Sequence, residues 1–526
     1  MTKSLNSLSP PALEDYLGRD RRTHGHAPWP QLALGTDTWM AMIKRLAGSS
    51  WVLLGEWADG LTVRAALCDD VDGYIAVLSI DAIDGHYPTL SQARPPAIRL
   101  ERAIADLSGL VADGLTDLRP WLDHGVWPVS RPLGDAAHYG PVSRPLGDAA
   151  HYNPALLPHP YAFLPVEGEG LHEIPVGPVH AGIIEPGHFR FTCFGETVVR
   201  LEDRLGYAHK GVEALMVGAT PLHSARIAGR VSGDSTVAYA CAFCRAVEAA
   251  TGTDIPQRAH WLRALMAELE RIANHFGDIG AVCNDVAFSL MHAHCGVLRE
   301  TVLRAADACF GHRLMMDRVV PGGVAADLDD SGVKRLRALV VECRGRFEQL
   351  VWLYENTPSL QARMHGSGTI KPELVRAWGA GGFVGRAAGR DFDARSRPGY
   401  PPYDQLDLVV PVRQSGDVNA RVMIRIEEVR ESLRLIEQIL NRLPAGPLRV
   451  ELALGRGEGM ALVESFRGDV LAWLRLAQDG TIARCHLRDP SWFQWPLLMV
   501  AIEGAPVADF PLCNKSFNCS YSGHDL

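Results

Sequence analysis

The chain has 526 residues, 47% hydrophobic and 21% charged, with 52 basic against 61 acidic residues for a net charge of −9. A length of this order supports roughly two to four domains; the composition excludes wholesale disorder, and the charge argues against nucleic acid or an anionic membrane as the main partner. Its eleven cysteines are too sparse for a disulfide scaffold and fit a reducing compartment.

Residues 1–27 are polar and contain proline, and read as an N-terminal arm without the apolar stretch of a secretory signal. No run of about 18 uncharged apolar residues occurs anywhere. The nearest, Trp495 to Pro511, is broken by Glu503, Gly504, Pro506 and Asp509. Residues 28–127 form a small α/β domain. WVLLGEWADG and LTVRAAL are short apolar runs around a glycine break, and YIAVLSI is a buried strand. In AIRLERAIADLSGL, residues Ile98, Leu100, Ile104 and Leu107 fall at helical spacing.

PVSRPLGDAAHYG (128–140) is followed at once by PVSRPLGDAAHYN (141–153). A period this short, present twice, is no solenoid. It reads as a duplication in an exposed linker (128–157), since lengthening a loop costs little; the alternative is a tether for a partner. Residues 158–526 make a larger, mainly helical domain with a short β region at its start, HAGIIEPGHFRFTCFGETVVRLE. The fold class is therefore α+β.

Three segments carry helical apolar stripes: IPQRAHWLRALMAELERIANHFGDIGAV, LRALVVECRGRFEQLVWLYEN, and RIEEVRESLRLIEQILNRLP, the last stopped by Pro444 and Gly446. Cys241 and Cys244 form a CxxC inside the helical stretch AYACAFCRAVEAA. A structural zinc site needs two further ligands, and without a second CxxC these two read as small core residues. Metal or redox work is the alternative.

GPVHAGIIEPGHFRF, AHKGVEAL, RAHWLRALMAELERIANH, PGGVAADL, GRDFDARSRPGYPPYDQLDLVVPVRQSGD and RIEEVRESLRLIEQILNRLPAG occur in this order. They resemble one superfamily: the large subunits of group 4, membrane-bound [NiFe]-hydrogenases of the formate-hydrogenlyase type, and the quinone-site (D-type) large subunit of respiratory complex I. HYPTLS (86–91), ERAIADLSGL (101–110) and DLRPWL (117–122) resemble the 30-kDa (C-type) subunit of complex I, here fused ahead of the large subunit.

A nickel-binding member would read RVCGIC where this chain has Arg230-Val231-Ser232-Gly233-Asp234-Ser235. The C-terminal CxxC of such members has no counterpart, because Cys513 and Cys519 lie six apart. Four thiolates hold such a centre and hydroxyls do not replace them, so the expectation is a chain without a functional Ni–Fe centre and without bound metal. Complex I members bring a His and an Asp to the quinone headgroup, aided by a Tyr. The resemblance places these on His180, Asp285 and Pro221, so the Tyr is missing, with His223 nearby. Reduction of a quinone takes up two protons, which a His and a carboxylate can supply.

Glu185 falls on the glutamate that moves protons to nickel, a relic position here, while Glu213 and Arg230, also at family positions, read as ion-pair partners. The resemblance further implies a partner iron–sulfur small subunit (B-type) carrying a [4Fe–4S] cluster. It also implies membrane subunits of H-type and antiporter-like kind, and a cytoplasmic place on the inner face of the cell membrane held through those partners. The expected function is electron transfer toward a quinone or similar acceptor, with or without ion translocation. The alternatives are a non-catalytic coupling subunit and, last, an active hydrogenase.

Overall fold

The computed structural model describes residues 13–17, 22–23, 25–135, 142–143, 161–182, 184–453 and 455–526. A sheet-rich N-terminal region leads into a larger, mainly helical one.

The first region is built on β1 (Gln31–Ala33), α1 (Thr36–Leu46), the hairpin β2 (Trp51–Asp59) and β3 (Thr62–Asp69), β4 (Ile75–Asp81), and α2 (Ala97–Ser108). Its sheet runs from the short strand Arg22–Thr23 through β1, β4 and β3 to β2 at the edge. Both faces are covered, which is why these strands read as near-continuous apolar runs rather than alternating ones. Leu53, Ala65, Leu67 and Leu78 face one core with Leu100 of α2, whereas Val52, Leu54, Ala66 and Val77 face the core of the helical region. The edge strand's outer carbonyls are capped by arginines: Arg94 Nε donates to Trp51 O (2.8 Å), Arg488 Nε to Leu54 O (2.6 Å) and Arg484 Nε to Ala58 O (3.1 Å).

The second region opens with the antiparallel meander β5 (Leu171–Val176), β6 (His188–Phe194) and β7 (Thr197–Arg204). Its longest helices are α3 (Thr236–Thr251), α4 (Gln257–Asp285), α5 (Ser289–Phe310), α6 (Asp330–Glu355) and α7 (Val418–Arg442). Each expected amphipathic segment is a helix, and α7 ends two residues before Pro444. The 29-residue α4, about 43 Å long at 1.5 Å per residue, is the axis; it packs on α5 and α7.

A further sheet, β8 (Gly457–Glu464), β9 (Asp469–Leu476) and β10 (Ile482–Arg488), goes beyond the β region expected at the start of this part of the chain. Helix α3 lies on it so closely that a Cβ at Gly459 would collide with the Ala246 carbonyl oxygen, an approach only glycine allows. The strand His26–Ala27 completes this sheet by pairing in parallel with Glu458 and Gly459. Helices α8 (Ser491–Ala501) and α9 (Phe510–Phe517) and the helical turn Tyr521–Asp525 close the chain. No helix among the described residues is long and apolar enough to cross a membrane.

Of the duplication, residues 136–141 and 144–153 lie outside the described residues. Where the copies are described, Val142–Ser143 pairs antiparallel with Val129–Ser130. Deleting residues 141–153 should change stability by less than about 1 kcal/mol, because a two-residue ladder and a shorter loop contribute little. A urea unfolding curve of the deletion variant checks this.

Candidate functional site

The loop between the helix Pro221–Ala228 and α3 brings Ser232, Asp234 and Ser235 against the C-terminal segment. Ser232 Oγ and Ser235 Oγ both donate to Asp234 Oδ1, at 2.5 and 3.3 Å. Arg467, in the turn between β8 and β9, grips the same carboxylate with two bonds, Nη1 to Oδ1 (2.9 Å) and Nη2 to Oδ2 (2.5 Å). Burial would raise the Asp234 carboxyl, but the guanidinium outweighs it and holds the group below its usual range.

Arg467 also ties in the chain end, its Nε donating to Asn518 O at 2.5 Å, and Ser520 Oγ reaches Ser232 Oγ at 3.4 Å. Asn518 Nδ2 and Arg425 Nε both donate to Asp278 of α4. Residues 232–235 and 518–520 are thus side by side, joined by a guanidinium, a carboxylate and hydroxyls.

The thiols nearby are of a different kind. Cys513 and Cys519 are buried, and burial pushes Cys513 up to about 11 and Cys519 well above its ordinary value, so both are protonated at neutral pH. Cys241 and Cys244 are buried on α3; burial lifts Cys241 to about 12 and Cys244 well upward. Metal binding needs thiolates. Among the described residues no three His, Cys, Asp or Glu side chains are grouped to hold a metal ion.

Behind this site lies a buried layer of charge. Glu268, Arg271 and His275 are stacked at helical spacing on α4. Arg395 Nη1 (3.0 Å), Tyr403 Oη (2.6 Å) and Ser432 Oγ (2.6 Å) donate to Glu268. His275 Nε2 lies 2.7 Å from Glu428 Oε2. Arg386 joins Glu428 (2.6 Å), Glu464 (2.9 Å) and Asp393 (3.3 Å). Burial, with Asp393's charge adding to it, pushes Glu464 up to about 7. Glu428 goes the other way: burial opposes ionisation, yet Arg386 and His275 hold it well below the ordinary range. Sequence reasoning assigned no role to this layer. Its signal was there, as charged residues spaced three and four apart inside an apolar helix.

The residues of the expected acceptor site sit elsewhere. His180 lies in the loop between β5 and β6, its Nε2 2.8 Å from Gly187 O and its ring 5.8 Å from that of Phe189. Asp285 is the last residue of α4; burial raises its carboxyl, while Lys515 of α9 and His292 of α5 pull it down. Helix α9 links the two places, since Phe510 at its start packs on Phe189 and Phe191 and its Lys515 faces Asp285. No hydrogen bond or ion pair joins His180 to Asp285 among the described residues. Glu185 is exposed, and its Oε2 accepts the Ser522 N–H at 3.0 Å. Pro221 starts a helix, and His223 on it is exposed. Arg230 forms a bidentate pair with Asp317 at 2.7 Å. Glu213 pairs with Arg484 (2.7 Å) and His486 (2.9 Å).

Comparison with known proteins gives a consistent picture. The family model of the respiratory-chain NADH dehydrogenase 49 kDa subunit matches residues 285–454. The chain is 30% identical over 454 residues to formate hydrogenlyase subunit 5 of Escherichia coli (strain K12), covering 85% of this chain and 78% of that one. It is 32% identical over 343 residues to the D-type subunit of the NADH-quinone oxidoreductase of Desulfotalea psychrophila, covering 64% and 91%. A chain of the membrane-bound sulfane sulfur reductase, an archaeal respiratory membrane complex, superposes with a TM-score of 0.64 at 25% identity, covering 69% of this chain and all of that one.

Proposed function

The chain belongs to the family of large subunits shared by complex I and the membrane-bound hydrogenases, and we propose that it serves in a membrane-associated oxidoreductase complex without a nickel–iron centre of its own. One observation supports this reading: at the positions onto which the resemblance maps the family's nickel thiolates, Ser232 and Ser235 flank the Asp234–Arg467 pair. Nickel–iron centres need soft, anionic sulfur donors. Two hydroxyls and a carboxylate already gripped by a guanidinium do not fit such a centre.

Electrons then come from a [4Fe–4S] cluster in a B-type iron–sulfur partner and leave to a quinone or a similar acceptor. Membrane subunits of H-type and antiporter-like kind hold this chain on the inner face of the membrane. Sulfane sulfur is one such acceptor by analogy with the structural neighbour. Quinone reduction consumes two electrons and two protons. Asp285, whose burial favours the protonated acid, and His180 are the proton donors in this reading. The coupling-subunit reading is favoured by a separate observation: His180 is engaged with Gly187 O, Asp285 faces Lys515, and no contact joins the two.

Elemental analysis and turnover assays on the purified complex test both readings. The expected results are no stoichiometric nickel and no hydrogen evolution. Asp285→Asn should lower acceptor-linked turnover by roughly 100-fold, the lower bound for loss of a general acid, with assembly intact. About one nickel per chain would overturn the metal-free reading. Unchanged turnover in both His180→Ala and Asp285→Asn would leave the coupling role.

A further inference from the structure

The described part of the first repeat copy, residues 128–135, is docked on α2 (Ala97–Ser108). Its Leu133 N–H donates to the Leu107 carbonyl at 2.9 Å, capping a last helical turn whose carbonyls have no partner within the helix. The Gly134 N–H closes a turn onto the Arg131 carbonyl at 3.0 Å, with Arg131 in the left-handed region at φ +52°. That turn lies over the end of α2 so closely that a Cβ at Gly109 would come within 2.7 Å of Arg131 Cδ. Pro132 and Leu133 share a cavity of about 310 Å³ with Leu100 and Leu107 of the helix.

Every residue that makes these contacts recurs thirteen positions later. Pro128 to Asp135 reads PVSRPLGD, and Pro141 to Asp148 reads the same. The face on α2 therefore has no side-chain chemistry by which to prefer one copy. The contact between the copies is itself symmetric, with Val142 opposite Ser130 and Ser143 opposite Val129. Equivalent residues face each other across a local two-fold, and this pairing is the same when the copies trade places.

Chain length permits the trade. Downstream of the repeat, Arg102 Nη2, also on α2, donates to Tyr161 Oη at 3.0 Å. Arg102 and Leu107 lie about 8 Å apart along the helix axis. The fifteen residues from Leu146 to Tyr161 span up to about 50 Å when extended, so Leu146 can take the place of Leu133 while Tyr161 stays anchored. Upstream, the first copy then becomes a thirteen-residue loop with adjoining ends, an ordinary size for a surface loop. The trade splits one connection (136–160) into two (128–140 and 149–160). With loop closure scaling as the three-halves power of length, the split disfavours the exchanged register by about 15-fold.

We propose that the two copies of the repeat compete for this face of α2, so that the connection between the two regions has two registers thirteen residues apart. The major register has the first copy docked and the minor one has the second. The exchange moves the slack in the connection from downstream of the docked copy to upstream of it.

Disulfide trapping in the full chain tests the exchange. The bond from Leu133 N to Leu107 O holds the two Cα atoms within about 7 Å, and both side chains line one cavity, so Leu107→Cys with Leu133→Cys is within disulfide reach. In oxidised glutathione this pair should cross-link, as identified by peptide mass mapping. Leu107→Cys with Leu146→Cys should also cross-link, about 15-fold more slowly, the rate set by the minor register's share. Adding Leu133→Asp, which makes docking of the first copy bury a charge, should bring the second pair close to the rate of the first. Leu107→Cys with Ala155→Cys, on the same connection but outside the repeat, measures random encounter and should stay far slower in the Leu133→Asp background. The proposal fails if Leu146→Cys pairs no faster than Ala155→Cys in that background, or if Leu133→Asp leaves the rate of Leu146→Cys unchanged.

Discussion

Replacing Arg386 by alanine should destabilise the protein by about 3–5 kcal/mol, the cost of removing one partner from a buried ion pair. Arg386 is wholly buried and holds three carboxylates, Glu428, Glu464 and Asp393, as well as the Phe392 carbonyl at 2.9 Å. None of the three can reach water when the guanidinium is gone, since all are buried. Repulsion among them must be relieved by protonation, which raises their folded-state values.

The sign of the pH dependence follows. A carboxyl raised above its unfolded value gives stability that is present at low pH and lost as pH rises through the folded value. In the parent, Glu464 already sits at about 7 against an ordinary 4.5. The Arg386→Ala defect should therefore be largest above pH 7 and shrink as pH falls toward 5. Urea titrations of parent and variant at pH 5, 6, 7 and 8 check this. A defect that stays constant across that range would mean that the layer's charges are not what Arg386 stabilises. Arg386→Ala combined with Glu428→Gln should be less unstable than Arg386→Ala alone.

Arg467→Ala should cost about 3 kcal/mol, the low end for a broken buried pair, because Asp234 keeps partial contact with solvent, 31% against 4% for the arginine. The variant should also loosen two distant segments at once, since Arg467 holds both Asp234 and the Asn518 carbonyl. Hydrogen exchange should speed up at residues 232–236 and at 516–520 together. Faster exchange in only one of them would show that the arginine does not join them. Arg467→Lys keeps the charge but not the two-pronged geometry, and should fall between parent and alanine.

The same contact depends on a close backbone approach. A Cβ at Gly382, where φ is +65°, would run into the Arg467 carbonyl oxygen, so Gly382→Ala should displace this turn and reproduce much of the arginine defect.

Most of the architecture was legible in the sequence because periodicity is a direct imprint of burial. Helices α4, α6 and α7 and strand β4 carry their apolar spacing openly. The sheet at 457–488 did not stand out, since β9 and β10 are covered on both sides and lack alternation. The expectation that the nickel-site cysteines are missing came residue by residue from Ser232, Ser235, Cys513 and Cys519. What surrounds those positions was not legible. Asp234 and Arg467 are 233 positions apart, and nothing local announces that a guanidinium from one turn will meet a carboxylate from another.

The pairing of His26–Ala27 with Glu458–Gly459 sets a timetable for the newborn chain. Translation at about 5–20 residues per second separates emergence of these partners by roughly 20 to 90 s. Arg484 and Arg488, which cap the carbonyls of the edge strand Trp51–Asp59, arrive later still. Throughout that interval the edge carries uncapped backbone and Trp57 without its neighbours, a template for pairing with other chains. The ribosome-bound intermediate is thus the species in which this protein is most exposed to aggregation, and the one a chaperone has most reason to hold.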